Sequence, residues 1–143
     1  AHIALHLSEA AVAAWIADPE RIVLVGAAAD APETLLGYAM YETAATPEAP
    51  VTERLGDVPA GHLSKLYVLA EGRGTGLAEA LVHDGVERLR RLGFRHVWLG
   101  TNAQNTRANR FYERLGFATI GARQFVVGGE KVEDDWVRLL TVE

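Results

Sequence analysis

Residues 66–78 read LYVLAEGRGTGLA, an apolar stretch running through three glycines, Gly72, Gly74 and Gly76, into the start of a helical pattern. The apolar part closes a strand expected over His62–Leu69. Beyond the glycines, Leu77, Leu81, Val82, Val86, Leu89 and Leu92 recur at helical spacing, which predicts a helix over Thr75–Leu92. Gly93 closes that helix as a left-handed cap. Glycines at 72, 74 and 76 strip side chains from a helix N-terminus, where backbone N–H groups and the positive end of the helix dipole form an anion site. Arg73 adds charge, and a diphosphate is the natural occupant. The alternative is a plain strand-to-helix loop whose glycines serve turn geometry alone. A dinucleotide fingerprint begun at Gly74 and Gly76 needs Gly or Ala at position 79, where Glu79 stands, and a Walker A loop needs Gly-Lys-Ser/Thr, which is absent.

Outward from this unit, Ser8, Glu9 and the set Ala11, Val12, Trp15 and Ile16 predict an amphipathic helix ending at Asp18-Pro19. Arg21–Ala29 and Thr34–Thr43 read as two strands of an antiparallel hairpin, joined through Asp30-Ala31-Pro32-Glu33. Residues 44–60 carry Pro47, Pro50 and Pro59 and acidic residues without clean periodicity, and are expected to be a long mobile loop. Downstream, Arg95–Gly100 is a strand, Asn105–Leu115 a helix stopped by Gly116, and Phe117–Val127 and Val132–Val142 two strands joined through Gly128-Gly129. The order α-β-β-β-α-β-α-β-β describes one mixed α/β (α+β) domain over residues 1–143, with parallel pairing in the middle and antiparallel pairing at the flanks.

Composition narrows the function. The chain has 143 residues, 49% hydrophobic and 23% charged, enough for a real core. No apolar run reaches the roughly 20 residues of a membrane span, and no leader pattern opens the chain, so a cytoplasmic location is expected. Without cysteine there is no disulfide, thiolate metal site or cysteine nucleophile. The five histidines show no HExxH or HxH spacing, so no metal site is expected. Residues 1–60 hold two basic and nine acidic side chains, a charge of −7, while 61–143 hold twelve basic and ten acidic, +2. Nine arginines against four acids over 73–123 suit a phosphate-bearing small ligand better than nucleic acid.

Two motifs carry a family resemblance. Arg73-Gly-Thr-Gly76-Leu-Ala78, placed after Leu66-Tyr67-Val68, fits the pattern Gln/Arg-x-x-Gly-x-Gly/Ala. Asn105-x-x-Ala108-x-x-Phe111-Tyr112-Glu113-x-x-Gly116-Phe117 fits a second pattern without a departure. In both the chain resembles the GNAT superfamily of N-acetyltransferases over about residues 8–142, with Ala70 where a proline is common and the family's first strand largely missing.

The resemblance implies an acetyl-CoA-dependent enzyme with helices on both faces of a sheet splayed at the cofactor strand. The amides of Arg73, Gly74, Thr75, Gly76, Leu77 and Ala78 would cradle the CoA diphosphate. The Leu66, Tyr67, Val68 and Leu69 backbone, splayed from the Arg95–Gly100 strand, would pair with pantetheine, and Asn105 would bond the pantetheine arm. Tyr112 would stand near the sulfur as the acid that protonates the leaving thiolate; packing of an apolar helix face is the other role for that ring. For the general base the candidates are His62, at the head of the cofactor strand where relatives often carry glutamate, Glu42 at the end of its strand, or water. The expected acceptor is a small-molecule amine. The run Phe125-Val-Val-Gly128 with Asp135-Trp136 is loosely similar to PaiA-type polyamine acetyltransferases, and the acidic first half suits a cation. Peptide N-termini and lysines stay open as acceptors, as do a non-catalytic CoA-binding sensor and a homodimeric assembly; a protein-interaction role for 44–60 fits the motif pair poorly. Neither nucleic acid nor membrane is an expected partner.

Overall fold

The computed structural model describes residues 16–28, 30–127 and 130–142. Its elements are β1 (Arg21–Ala28), β2 (Ala31–Glu42), α1 (Ala49–Leu55), β3 (Gly61–Val68), α2 (Leu77–Arg91), β4 (His96–Asn102), α3 (Thr106–Arg114), β5 (Ala118–Val127) and β6 (Glu130–Thr141). The strands are ordered β1-β2-β3-β4-β6-β5 in one open sheet. β3 pairs parallel with β4, and the β1/β2, β4/β6 and β5/β6 ladders are antiparallel, so the sheet is mixed as expected.

The chain forms two compact units, each built from two segments: 1–44 with 63–92, and 45–62 with 93–143. In the first, α2 lies on β1 and β2. The contact is close because Gly26 and Gly85 have no side chains: a Cβ at Gly85 would collide with the Tyr41 ring, and one at Gly26 with Leu77. Tyr41 is fully buried, and its hydroxyl donates to the carbonyls of Leu81 at 3.0 Å and Val82 at 3.3 Å. A buried phenol needs such a partner, because an unsatisfied hydroxyl costs about 1–3 kcal/mol.

The second unit is built on Val51, Ala60, Trp98, Val137 and Leu139, with Ala45, Leu55 and Ile120 packed around them. Its first segment departs from expectation. Residues 44–60 are not a plain loop but carry α1, with proline in its first turn, where the ring's fixed φ is pre-set for a helix and no N–H is lost. Val51 and Leu55, four residues apart, lie on one helical face and enter the core. α1 packs on β5 and β6, and Pro50 approaches Gly121 so closely that a Cβ there would stand 2.6 Å from its ring carbons.

Two boundaries also move. β2 begins at Ala31 and takes in the expected turn, because register shifts between Gly26 and Ala28 absorb the extra residues around Pro32. The helix after Thr75 starts at Leu77, with Gly76 as its left-handed N-cap. At the front, residues 16–17 are helical, and Asp18 Oδ1 accepts from Glu20 N at 2.9 Å, ending the helix where expected. The rest of that helix from Ser8, and the Gly128-Gly129 turn, lie outside the described residues. Among the described residues, no helix is long and apolar enough to cross a membrane.

Candidate functional site

In the first unit, the chain leaves β3 through Leu69, whose N–H donates to Leu36 O at 2.7 Å, and makes a 3-10 turn over Ala70–Gly72. Gly72 is buried against Val68, Leu77 and Leu36. Gly74 and Gly76 follow at φ 76° and 85°, a region where L side chains are strained. Thr75 bridges this turn: its hydroxyl donates to Gly72 O and accepts from Leu77 N at 3.3 Å. Residue 76 offers no side-chain cap, Arg73 to Gly76 are exposed, and among the described residues nothing lies within 4 Å of where a Cβ at 74 or 76 would stand. An anion has room here, because the exposed glycines put no side chain beside the start of the helix, where the positive end of the dipole lies, although Thr75 Oγ1 already takes the Leu77 amide. Leu77 and Ala78 are half-buried, as are Leu66 and Val68, while Leu69 is buried and Tyr67 exposed. Tyr67 pairs with Tyr38, ring centroids 6.3 Å apart, and burial followed by the neighbouring Tyr67 raises the Tyr38 hydroxyl above its ordinary pKa. Glu42 stands opposite Arg21 in the β1/β2 register, with Arg21 Nη2 at 3.7 Å from its carboxylate.

The second unit holds the other three candidates. His62 is half-buried on β3, opposite Trp98 in the parallel ladder, and its imidazole lies flat on the indole with centroids 3.9 Å apart and planes 10° from parallel. Asn105 is the N-cap of α3, its side-chain oxygen accepting from Ala108 N at 3.1 Å. Such a cap is worth about 1 kcal/mol. Tyr112 sits edge-on to Phe111 and Phe117, and burial pushes its phenol up to about 12. The ring therefore holds its proton at any ordinary pH.

Sequence reasoning missed the network that carries α3. Arg138, 3% exposed in β6, donates from Nε to Asn109 Oδ1 at 3.0 Å, from Nη1 to Phe117 O at 2.8 Å and from Nη2 to Glu113 at 3.2 Å. Asn109 in turn donates to the carbonyls of Asn102 and Asn105 at 3.0 and 2.9 Å. The signal was an arginine inside the apolar run Trp136-Val-Arg-Leu-Leu140, which a lone strand pattern leaves without a partner. Among the described residues, no three His, Asp or Glu side chains converge to hold a metal ion.

Residues 3–117 match the acetyltransferase (GNAT) family. An uncharacterised N-acetyltransferase of Mycobacterium tuberculosis is 37% identical over 132 residues, covering 92% of this chain and 74% of that protein. The fold is similar to that of a GNAT-family structure from Kribbella flavida, with a TM-score of 0.70 at 24% identity over 99% of this chain and 81% of that one. It is also similar to an Elizabethkingia anophelis family member with acetyl-CoA bound, TM-score 0.65 at 12% identity over 94% and 84% of the two chains. The chain belongs to the acetyltransferase (GNAT) family and is an N-acetyltransferase of that type.

Proposed function

We propose that the protein transfers the acetyl group of acetyl-CoA to a primary amine by direct attack in a ternary complex. The observation that carries this reading is the turn at Gly74–Gly76, two left-handed glycines with open space beside them at the start of α2. Acetyl-CoA, when bound, supplies an acetyl group activated as a thioester. The turn Arg73–Ala78 seats its diphosphate, with the amides of Gly74, Thr75, Gly76 and Ala78 as donors, since Arg73 N already donates to Ala70 O and Leu77 N to Thr75 Oγ1. The backbone of Leu66–Leu69 pairs with pantetheine. Asn105 acts by donation from its side-chain nitrogen, since its oxygen caps α3.

In the reaction the amine nitrogen bonds to the acetyl carbon as the carbon–sulfur bond breaks. A backbone N–H of 66–68 polarises the carbonyl. His62 takes the proton the amine loses and returns it to solvent, and Tyr112 gives its proton to the sulfur and recovers one from solvent. Glu42 ranks behind His62 because its carboxylate already faces the Arg21 guanidinium.

The acceptor we propose is a cationic amine of the polyamine class. The support is the charge of −7 over residues 1–60; the Phe125–Gly128 part of the polyamine resemblance lies outside the described side chains. A panel of amines, scored by CoA release at low and high salt, tests the reading. Faster release with di- and polyamines, slowing as salt rises, is expected. Acetyl-CoA binding without CoA release from any amine would overturn the catalytic reading, and a preference for anionic acceptors would overturn the polyamine one.

A further inference from the structure

A chain of contacts in the second unit ends on the proposed base. It starts at Arg123 on β5, whose guanidinium is forked between two carboxylates. Nη1 donates to Glu48, the N-cap residue of α1, while Nη2 and Nε donate to Asp135 of β6 at 2.9 and 3.2 Å. Asp135 is 8% exposed, so this end of the fork is largely shielded from solvent and from screening. The guanidinium crosses Gly100 of β4, where a Cβ would stand 2.7 Å from Nη2. Arg123 thus fastens the start of α1 to β5 and β6, beside the seat of Pro50 on Gly121.

So seated, α1 delivers Val51, 1% exposed, to the buried cluster that holds Trp98. Trp98 is 2% exposed, and its indole Nε1–H has no hydrogen-bond partner among the described residues. With no polar anchor at that atom, packing sets the plane of the indole. The His62 imidazole lies on that plane at 3.9 Å.

We propose that Arg123, acting through Glu48 and α1, is a positioning residue for His62. It keeps Val51 in the cluster that orients Trp98, and Trp98 sets the attitude of the imidazole. The link to catalysis rests on the reading of His62 as the base, while the positioning itself does not.

The experiment is proton NMR of the His62 ring in the full chain, compared among wild type, Arg123→Gln, Glu48→Gln and Val51→Ala. Stacking on an indole moves imidazole ring protons upfield, so these resonances report the contact directly. Each variant should move them back toward the positions of an unstacked histidine with the far-UV circular dichroism retained. The kcat should fall about tenfold while the KM for acetyl-CoA is kept, the size expected when a catalytic group is misplaced by a fraction of an ångström. Arg123→Lys should recover part of the loss. Should Arg123→Gln fail to fold, Glu48→Gln, which spares the Asp135 pairing, and Val51→Ala carry the test. Resonances that stay at wild-type positions in the folded variants overturn the proposal. Moved resonances combined with a wild-type pH profile in His62→Ala support the positioning and overturn the base assignment instead.

Discussion

Arg138 reaches from β6 to Asn109 of α3, its Nε 3.0 Å from the amide oxygen and both side chains buried. Asn109 passes the connection on to the carbonyls of Asn102 and Asn105, so the end of β4 and the cap of α3 are tied to one guanidinium. Phe117 O accepts from the same group, and Phe117 N donates to Tyr112 O at 3.0 Å. The Asn105 cap and the Tyr112 helix therefore share a support that neither residue provides itself.

Removing that support should be costly. Arg138→Met leaves the Asn109 and Phe117 oxygens buried without a donor, and should lower stability by about 2–4 kcal/mol in urea unfolding. The Glu113 end of the network, 62% exposed, adds little to that. A loss below about 0.5 kcal/mol would mean that water replaces the guanidinium without strain.

Gly76→Val should abolish acetyl-CoA binding while the protein stays folded. Among the described residues nothing occupies the space beside residue 76, so the new side chain obstructs a ligand and not the chain. Gly93→Val is the control: at φ 101° it carries the same kind of backbone strain, about 1–2 kcal/mol, at the other end of α2. Calorimetric titration should show affinity lost in the first and kept in the second; equal affinities would move the diphosphate elsewhere.

For Tyr112→Phe the expectation is a fall in kcat with acetyl-CoA affinity unchanged, since the hydroxyl acts only as sulfur gains charge. The phenol is raised from 10.0 to about 12 by burial, so the folded protein keeps this proton where the unfolded chain has lost it. Stability should then decline as pH climbs from 10 to 12, by up to roughly 2–3 kcal/mol, and the Phe variant should show a shallower decline. Alkaline unfolding curves of equal slope would contradict the burial, and equal turnover would leave the ring a packing role.

His62→Ala should flatten the rise of activity with pH and spare acetyl-CoA affinity. Glu42→Gln should leave that limb in place. The reverse pattern would transfer the base role to Glu42, and two unaffected profiles would transfer it to water.

Gly85→Ala should destabilise the first unit by about 1–3 kcal/mol, because the methyl group would enter the Tyr41 ring. Tyr41→Phe, which keeps the ring and deletes the hydroxyl bonds to Leu81 and Val82, should cost about 1 kcal/mol. Thermal melts of the two variants separate the steric from the polar contribution.

What the sequence determined by itself was local. Gly93 declared a left-handed helix cap because glycine alone takes that conformation without strain, and apolar spacing declared α2 and most strands. That Gly74 and Gly76 are left-handed while Gly72 is not was visible only in the structure. The two motifs, Arg73–Ala78 and Asn105–Phe117, lie in continuous segments whose local caps and turns can be read from the sequence. Tertiary structure decided what depends on partners far along the chain. The segment 44–60 looked like a loop because its helix is short and proline-flanked; it is held by Gly121, Arg123 and the Trp98 cluster, none of them nearby in sequence. His62 could be named a candidate from its place at the head of a strand, but its stacking on Trp98 required the parallel register of β3 and β4. Arg138 showed no role until β6 was laid between β4 and β5, where a buried guanidinium meets the oxygens that α3 leaves to be satisfied.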